Sequence, residues 1–370
     1  MKNNKLVVKT KSKTYPIYFG NNILSKTGNL IQNNLPSVKK VCVIIDNKIP
    51  NLLVKKLLKS LKKFEVKIYK LTVSEKTKSV TLANKIIESL LKQNFNRSDC
   101  VISFGGGITG DLSALVANLT KRGLKFINVP STLLAQVDAS MGGKTAVNSK
   151  YGKNLIGTYY QPDFILNDVS ILKSLPGREM ISGYGEILKH SLILNKKFFF
   201  WLLQNGKKMM ISNNKKILKK AIIESCKIKC HIVNKDETEK GLRMILNFGH
   251  TFAHGFESAK NFSKSLNHGE AVLLGMMVAS DLSHKKKLLP LQDLALIKSH
   301  YYNLKLPNNI NKIFKKKEID KIIYFMKKDK KNIDEKISLI LLNKIGQTTK
   351  PQEFNLKSNK IKEFLKSYYI

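Results

Sequence analysis

The sequence predicts an α/β N-terminal domain with a mostly parallel sheet, followed by a mainly α-helical C-terminal domain. Short runs rich in Val, Ile and aromatic residues alternate with amphipathic helical patterns through the first half. After about Asp168 almost every pattern is helical. Alternation of strands and helices favours a parallel sheet covered by helices. We therefore expect domains at 1–167 and 168–370, with the active site in the cleft between them.

The individual elements follow from these patterns. Six runs predict strands in the first half: KLVV, YPIYF, VCVIID, FEVKIYKL, DCVISF and KFINVP. Between them, PNLLVKKLLKSLKK and TLANKIIESLLKQ have the apolar spacing of helices. In the second half, ISGYGEILKHSLILNKKFFFWLLQ, NNKKILKKAIIESCKIKCHIVNKDE, GEAVLLGMMVASDLSHKKK and IKEFLKSYY predict helices, and KISLILL predicts one late strand.

The composition is that of a globular protein. Its 370 residues can bury a sizeable core, and no apolar run approaches the roughly 20 residues needed to cross a bilayer. The first residues lack the apolar stretch of a secretory signal, so we expect a cytoplasmic protein without a membrane partner. Four cysteines are too few and too scattered for a disulfide framework. Cys226 and Cys230 could share a metal, but two small helix residues are the favoured interpretation.

The formal net charge of +40 raises the alternative of a nucleic-acid-binding protein. Only four of the 66 basic residues are arginine, and the lysines are spread almost evenly along the chain. A dedicated binder more often concentrates its charge and interleaves aromatic residues. We therefore favour a compositional bias over a nucleic-acid partner. The same bias makes each arginine more informative than any single lysine.

A glycine-rich turn follows the predicted strand DCVISF. Gly105, Gly107 and Gly110 fit the pattern G-x-G-x-x-G between a strand and a helix, where backbone N–H groups can approach a pyrophosphate. The acidic residue that usually follows by about 20 residues is missing, because the next acid after Asp111 is Asp138. Asp46, which ends the strand VCVIID, is the better candidate for a ribose contact. The sequence thus predicts a nucleotide site in a Rossmann-like unit with an unusual arrangement.

Three of the seven histidines lie close together, at His250, His254 and His268. His250 and His254 are one helical turn apart, and Glu186 and Lys189 share one face of another predicted helix. A carboxylate with imidazoles suits Zn²⁺ with an open position for substrate. A pair of ordinary helix histidines is the alternative for this spacing.

Further polar groups accompany this cluster. Arg243 and Asn247 precede the histidines at roughly helical intervals, which favours side chains that point the same way. Asp138 and Lys144 lie near the sequence MGGK, where glycines allow a ligand to approach closely. Cations gathered around a carboxylate and imidazoles favour a site for a negatively charged substrate.

Several long motifs together resemble one enzyme family. FGGGITGDLSALVA, VPSTLLAQVDASMGGKTAVN, GKNLIGTYYQP, SGYGEILKH and LNFGHTFAHGFE with NHGEAV are similar to the 3-dehydroquinate synthases of the shikimate pathway. The match runs in order from about Asp46 to Gly346. Ser131 departs from the family pattern, where threonine is usual, but no charged or ligating group is lost.

The resemblance implies two cofactors, NAD and a Zn²⁺ or Co²⁺ ion. It implies Glu186, His250 and His268 as the metal ligands, which leaves His254 as a substrate-side group. The NAD contacts that it implies are Asp46, Glu75, Lys78, Gly105, Gly106, Gly107, Ile108, Asp111, Ser131, Thr132, Asp138, Lys144, Lys153, Ser174 and Leu175.

The resemblance also implies a substrate cage and a homodimer. Arg122 matches a basic residue that reaches the phosphate site of the neighbouring subunit. The other implied substrate contacts are Asp138, Lys144, Asn154, Lys189, Lys229, Arg243, Asn247, His254 and Lys330, with Lys331 one position away. The implied catalytic residues are His254, Asn247, Lys144, Lys189 and Arg243.

The implied reaction converts 3-deoxy-D-arabino-heptulosonate 7-phosphate to 3-dehydroquinate and phosphate. It proceeds by transient oxidation by NAD, phosphate elimination, reduction, ring opening and an intramolecular aldol closure, so NAD is not consumed. Two enzyme alternatives stay open: a related sugar-phosphate cyclase and a metal- and NAD-dependent polyol dehydrogenase. The dehydrogenase would release NADH and would not need the cationic cage.

Overall fold

The structure is a computed structural model that describes residues 5–212, 214–263, 265–328 and 336–369. The chain divides into two compact units. The first unit comprises Met1–Pro176 and Leu218–Thr238, and the second comprises Gly177–Ile217 and Glu239–Ile370. Domain bounds at 1–167 and 168–370 stay a prediction, because compactness alone does not define where a domain folds independently.

Nine strands are described in the first unit. They are β1 (Lys5–Lys9), β2 (Thr14–Gly20), β3 (Lys40–Asp46), β4 (Glu65–Leu71), β5 (Cys100–Gly105), β6 (Lys125–Pro130), β7 (Lys144–Ser149), β8 (Gly152–Tyr159) and β9 (Phe164–Asp168). Seven form one sheet in the order β1-β2-β9-β6-β5-β3-β4, while β7 and β8 form a separate antiparallel hairpin. Within the described part of the large sheet, only β1 is antiparallel to its neighbour. The six predicted strands and the mostly parallel sheet are confirmed.

Helices cover both faces of this sheet. Those before residue 177 are α1 (Thr27–Asn34), α2 (Asn51–Ser60), α3 (Val80–Lys92) and α4 (Gly107–Leu119). Alternate residues of a strand point to opposite faces. Accordingly Val43 of β3 packs in the core with α1 and α2, whereas Ile44 packs in the core with α3 and α4. An apolar residue at each position of the buried strand therefore serves one of two cores.

The order of the strands defines where a ligand can bind in the first unit. β4 lies on one side of β3 and β5 on the other, so the direction of winding reverses between β3 and β5. Open α/β sheets bind ligands at such a switch point, outside the carboxyl ends of the strands. Asp46 ends β3 and Gly105 ends β5.

The second unit is mainly helical, as predicted. Its helices, with α7 of the first unit in chain order, are α5 (Gly177–Leu194), α6 (Lys196–Ser212), α7 (Lys215–Lys235), α8 (His250–Ala259), α9 (His268–Lys285), α10 (Leu291–Asn303), α11 (Ile319–Lys327) and α12 (Ser358–Lys366). Short strands follow at β10 (Lys336–Leu339), β11 (Leu342–Lys344), β12 (Gln347–Thr348) and β13 (Phe354–Lys357). Among the described residues, no helix is both long enough and apolar enough to span a bilayer.

One local prediction needs correction. Arg243 and Asn247 do not share a helix with the histidines, because they lie in a 3₁₀ turn at Leu242–Asn247 and α8 starts only at His250. Gly249 interrupts the chain with φ of 78°, a left-handed conformation that favours glycine. A Cβ atom there would also lie 2.7 Å from the backbone nitrogen of Met276 in α9. The close approach of α8 and α9 thus requires glycine at this position.

Candidate active site

The second unit gathers a carboxylate and two imidazoles from three helices. Glu186 lies on α5, His250 begins α8 and His268 begins α9. One ligand atom of each lies within 4.8 Å of the others. The Glu186 side chain is 1% exposed, and its oxygens accept no hydrogen bond from the described residues. Lys189 is in ion-pair contact with one oxygen, and His250 Nε2 lies 3.5 Å from the other.

These residues fit a divalent cation. A buried carboxylate without hydrogen bonds is costly, and a bound cation offsets that cost. One carboxylate and two imidazoles are a common ligand set for catalytic zinc, with a fourth position open for substrate. Cobalt accepts the same nitrogen and oxygen ligands.

Both imidazoles are oriented through their Nδ1 atoms. His250 Nδ1 lies 3.3 Å from the Phe248 carbonyl oxygen, and His268 Nδ1 lies 2.9 Å from Glu257 Oε2. Each contact leaves Nε2 as the ring nitrogen available to a cation. Burial lowers the pKa of His250 well below its usual value, and the Lys189 ammonium acts in the same direction. His250 is therefore neutral near pH 7, as a metal ligand must be.

The other predicted site residues of this unit are close in sequence to the proposed metal ligand His250. His254 is exposed, and its ring centroid lies 5.8 Å from that of His250. Asn247 Nδ2 donates to Glu239 Oε1 at 2.8 Å. Arg243 is buried, with 3% of its surface exposed, so it is not an ordinary surface arginine. The sequence motifs did not single out Glu239. Its backbone is in the left-handed region, with φ of 60°.

In the first unit, the glycine-rich turn packs closely against neighbouring side chains. Gly106 precedes α4, and a Cβ there would lie 3.2 Å from Thr132 Cγ2. The Ser131 N–H donates to the Gly105 carbonyl at 2.8 Å. A side chain at Gly106 would crowd Thr132, so the turn keeps a bare backbone before α4, as expected for a phosphate site.

Lys78 joins two of the predicted ligand contacts. Its side chain is 4% exposed. Its Nζ donates to Asp111 Oδ2 and to Asn154 Oδ1, both at 2.6 Å. Asn154 itself has φ of 55°. The structure thus brings Lys78, Asp111 and Asn154 into direct contact.

A second polar network lies next to the first. Lys153 Nζ is 3.2 Å from Glu75 Oε1. Asn148 Nδ2 donates at 2.8 Å to both the backbone oxygen and the carboxylate of Glu75, and Asn148 Oδ1 accepts the Asn154 N–H at 2.9 Å. The sequence motifs did not single out Asn148, although it ends the stretch KTAVN.

The remaining predicted contacts of the first unit are more separate. Lys229 of α7 is buried and donates to Asp138 Oδ1 at 2.7 Å. Lys144 is exposed at the start of β7, and Ser174 is exposed after β9. Leu175 follows it, half-buried. Lys330, with Lys331, lies outside the described residues.

Arg122 occupies an unusual turn after α4. Lys121 and Arg122 have φ values of 48° and 62°, and both are exposed. Arg97 Nε donates to the Lys121 carbonyl at 2.8 Å. Two consecutive non-glycine residues in the left-handed region cost backbone energy, so the turn presents Arg122 at the expense of stability.

Solved enzyme structures share this fold. A solved 2-deoxy-scyllo-inosose synthase, complexed with carbaglucose-6-phosphate, NAD⁺ and Co²⁺, has a TM-score of 0.83 at 26% identity, and the match covers 98% of this chain and 99% of that one. A 2-epi-5-epi-valiolone synthase from Streptomyces hygroscopicus subsp. jinggangensis 5008, with NAD⁺ and Zn²⁺ bound, has a TM-score of 0.85 at 23% identity with the same coverage. Both are synthases whose structures hold NAD⁺ and a divalent metal ion.

Sequence comparison identifies the family within this class. The sequence model of the 3-dehydroquinate synthase N-terminal region matches residues 68–182, and that of the C-terminal region matches residues 183–332. A 3-dehydroquinate synthase of Pelagibacter ubique (strain HTCC1062) is 51% identical over 362 residues, which cover 98% of each chain. The chain belongs to the 3-dehydroquinate synthase family. The resemblance found in the sequence motifs is confirmed.

Proposed function

We propose that this chain converts 3-deoxy-D-arabino-heptulosonate 7-phosphate to 3-dehydroquinate and phosphate, a step of the shikimate pathway. One observation carries the proposal: the buried Glu186 carboxylate faces His250 and His268 and accepts no hydrogen bond within the described part of the chain. The family membership of the chain supports the same conclusion.

The proposed cofactors are NAD and one Zn²⁺ or Co²⁺ ion, with Glu186, His250 and His268 as the metal ligands. When bound, NAD supplies a reversible hydride acceptor and the metal supplies a Lewis acid for substrate oxygens. In the first unit, the turn at Gly105–Ile108 and the start of α4 receive the pyrophosphate. Asp111 lies near the start of α4, and Lys78 donates a hydrogen bond to it. Together they position the dinucleotide.

The substrate carries a carboxylate and a phosphate, and the cations of the cage bind these groups. Arg243 provides a planar fork for one anionic group, while Lys144, Lys189 and Lys229 act as point charges. His254 accepts and returns a proton through a ring nitrogen, since its ring is exposed beside the metal ligands. Asn247 donates from Nδ2 and fixes the orientation of the substrate. Holding a single reactive conformer accounts for much of the expected rate.

We also propose a homodimer in the cytoplasm. The exposed Arg122, held in a left-handed turn, supports a role outside its own unit. The four cysteines are free and buried, which suits a reducing compartment. Analytical ultracentrifugation tests the assembly, and mixing Arg122→Ala with an inactive second variant tests whether one subunit completes the site of the other.

A phosphate-release assay tests the reaction. With the heptulosonate phosphate, Zn²⁺ and substoichiometric NAD⁺, phosphate should form over many cycles and 3-dehydroquinate should appear in equal amount. Stoichiometric NADH would indicate a polyol dehydrogenase instead. Phosphate release with a different carbocycle would indicate a related cyclase.

A further inference from the structure

His268 is the least enclosed of the three proposed metal ligands. Its side chain is 37% exposed, against 13% for His250 and 1% for Glu186. Packing alone therefore restricts the rotation of the His268 ring less than that of its partners. A ligand of this kind needs another interaction to hold its direction and its tautomer.

Glu257 supplies such an interaction. It lies on α8 seven residues after His250, which is close to two helical turns and places it on the same face. Its side chain is 9% exposed, and its Oε2 lies 2.9 Å from His268 Nδ1. Burial and this short contact place the carboxylate against the back of the ring rather than in the space where the ligand atoms converge.

An ionised carboxylate can only accept a hydrogen bond. In the neutral His268 ring the proton therefore lies on Nδ1, and Nε2 keeps the lone pair that a metal requires. Metal-binding histidines commonly donate their other N–H to a carboxylate or a backbone carbonyl in this way. We infer that Glu257 is a positioning residue that fixes the tautomer and direction of His268. The inference rests on the proposed function, because it concerns the same metal site.

The two imidazoles differ in what orients them. His250 Nδ1 faces a backbone oxygen, that of Phe248, which no side-chain substitution removes. His268 depends on a side chain. Replacement of Glu257 should therefore weaken metal binding through one ligand and leave the other ligand in place.

The tautomer can be measured directly in the metal-free protein. In ¹⁵N NMR spectra of the ring nitrogens, recorded at a pH high enough for the ring to be neutral, wild-type His268 should show a protonated Nδ1 and an unprotonated Nε2. In Glu257→Leu the proton should redistribute toward Nε2, because Nδ1 has lost its acceptor. In Glu257→Gln, which is isosteric, both tautomers should appear, since the amide can present either its oxygen or its NH₂ group.

Metal affinity is the second measurement. In competition with a chelator, Glu257→Gln should bind Zn²⁺ about tenfold more weakly and Glu257→Leu about 100-fold more weakly, the range found for partners of metal-bound histidines. The absorption spectrum of the Co²⁺ form should also change. Glu318→Gln is the matched control, because Glu318 is a hydrogen-bonded glutamate of the same unit that pairs with Lys260. That control should retain wild-type affinity.

The outcomes separate this inference from the proposed function. A wild-type chain that binds no metal would overturn both. If the wild type binds one metal ion while both Glu257 variants bind it equally well, only the role of Glu257 is overturned. An unchanged His268 tautomer in Glu257→Leu would likewise overturn that role alone, and Glu257→Gln decides the question should the leucine variant not fold.

Discussion

The candidate site residues of the two units differ in how their charges are compensated. In the first unit they form oppositely charged or amide-linked pairs: Lys78 with Asp111, Lys153 with Glu75, and Lys229 with Asp138. In the second unit the buried Glu186 carboxylate is also in ion-pair contact with a lysine, Lys189, but it accepts no hydrogen bond from any residue that the structure describes and faces two imidazoles as well.

This difference indicates two kinds of ligand. Paired charges are already stabilised, so a polar ligand binds there by exchanging one set of partners for another, with modest affinity per contact. One lysine contact leaves most lone pairs of a buried carboxylate unsatisfied, so a further cation between it and the two imidazoles makes cation binding part of the stability of the second unit. The site residues of the first unit therefore suit the binding and positioning of a dinucleotide, and those of the second unit suit a tightly bound metal ion.

The largest expected effect tests the site residues of the second unit. His250→Ala and His268→Ala should each lower Zn²⁺ affinity by more than about 100-fold, beyond the range for an outer partner. His254→Ala should keep its zinc and turn over slowly, because three ligands already leave one open position. Metal analysis of the three purified variants checks this. Loss of zinc from His254→Ala with retention in His268→Ala would reverse the assignment.

The next effect tests the paired charges of the first unit. Lys78→Met should lower the free energy of unfolding by about 2 kcal/mol, because it strands the Asp111 carboxylate. Breaking a buried pair costs about 3–5 kcal/mol, and the 23% exposure of the Asp111 side chain reduces that figure. Urea unfolding measures the change.

Lys227→Met is the control for that experiment. Lys227 pairs with Glu224 in the same unit, but its side chain is 54% exposed, so the loss should stay below about 1 kcal/mol. Equal losses in the two variants would mean that the Lys78 pair is an ordinary surface contact and would remove one side of the comparison.

A third effect separates a fork from a point charge in the second unit. Arg243→Lys should reduce kcat/KM about tenfold, or roughly 1.4 kcal/mol, although it keeps the charge. Arg178→Lys is the control: Arg178 forms a fork with Glu270, but its side chain is 44% exposed, so kcat/KM should stay near the wild-type value. Wild-type kinetics for Arg243→Lys would make that buried arginine a packing residue.

The secondary-structure elements that the sequence predicted are mainly those with a clear apolar pattern. The strands β3 and β5 were predictable because both faces are buried and nearly every residue is apolar. Strand β9 was missed although it is buried throughout, because FILND has only three consecutive apolar residues. The β7–β8 hairpin was missed, because the exposed and polar residues of GKNLIGTY show no regular alternation. The break at Gly249 was missed because spacing alone does not report how closely α9 approaches.

The site was predictable to the extent that its residues belong to motifs. The spacing of His250 and His254 and the shared helical face of Glu186 and Lys189 were visible in the sequence. Asn148 contacts Glu75, which is distant in the chain, and Glu257 contacts His268 on another helix, so only the fold reveals these two residues. A seven-residue interval from His250 is the one signal that could have drawn attention to Glu257.

The smallest expected effect compares two helix caps, one in each unit, that adjoin a site residue. Ser79 follows Lys78 and caps α3 by accepting the Leu82 N–H at 3.2 Å. Asn267 precedes His268 and caps α9 through a capping box, in which it exchanges two hydrogen bonds of 2.9 Å with Glu270. Loss of a cap costs about 1 kcal/mol.

Asn267→Ala should therefore cost about 1 kcal/mol of unfolding free energy, and Ser79→Ala somewhat less, because it removes a single and longer hydrogen bond. Neither cap touches a proposed ligand atom, so zinc affinity should fall by less than about threefold in Asn267→Ala, far less than in Glu257→Leu. Urea unfolding and chelator competition on the same samples measure both quantities. If Asn267→Ala weakened zinc binding as much as Glu257→Leu does, the start of α9 would hold His268 through the helix backbone. Cation binding by the second unit would then depend on the backbone of α9 rather than on the Glu257 carboxylate.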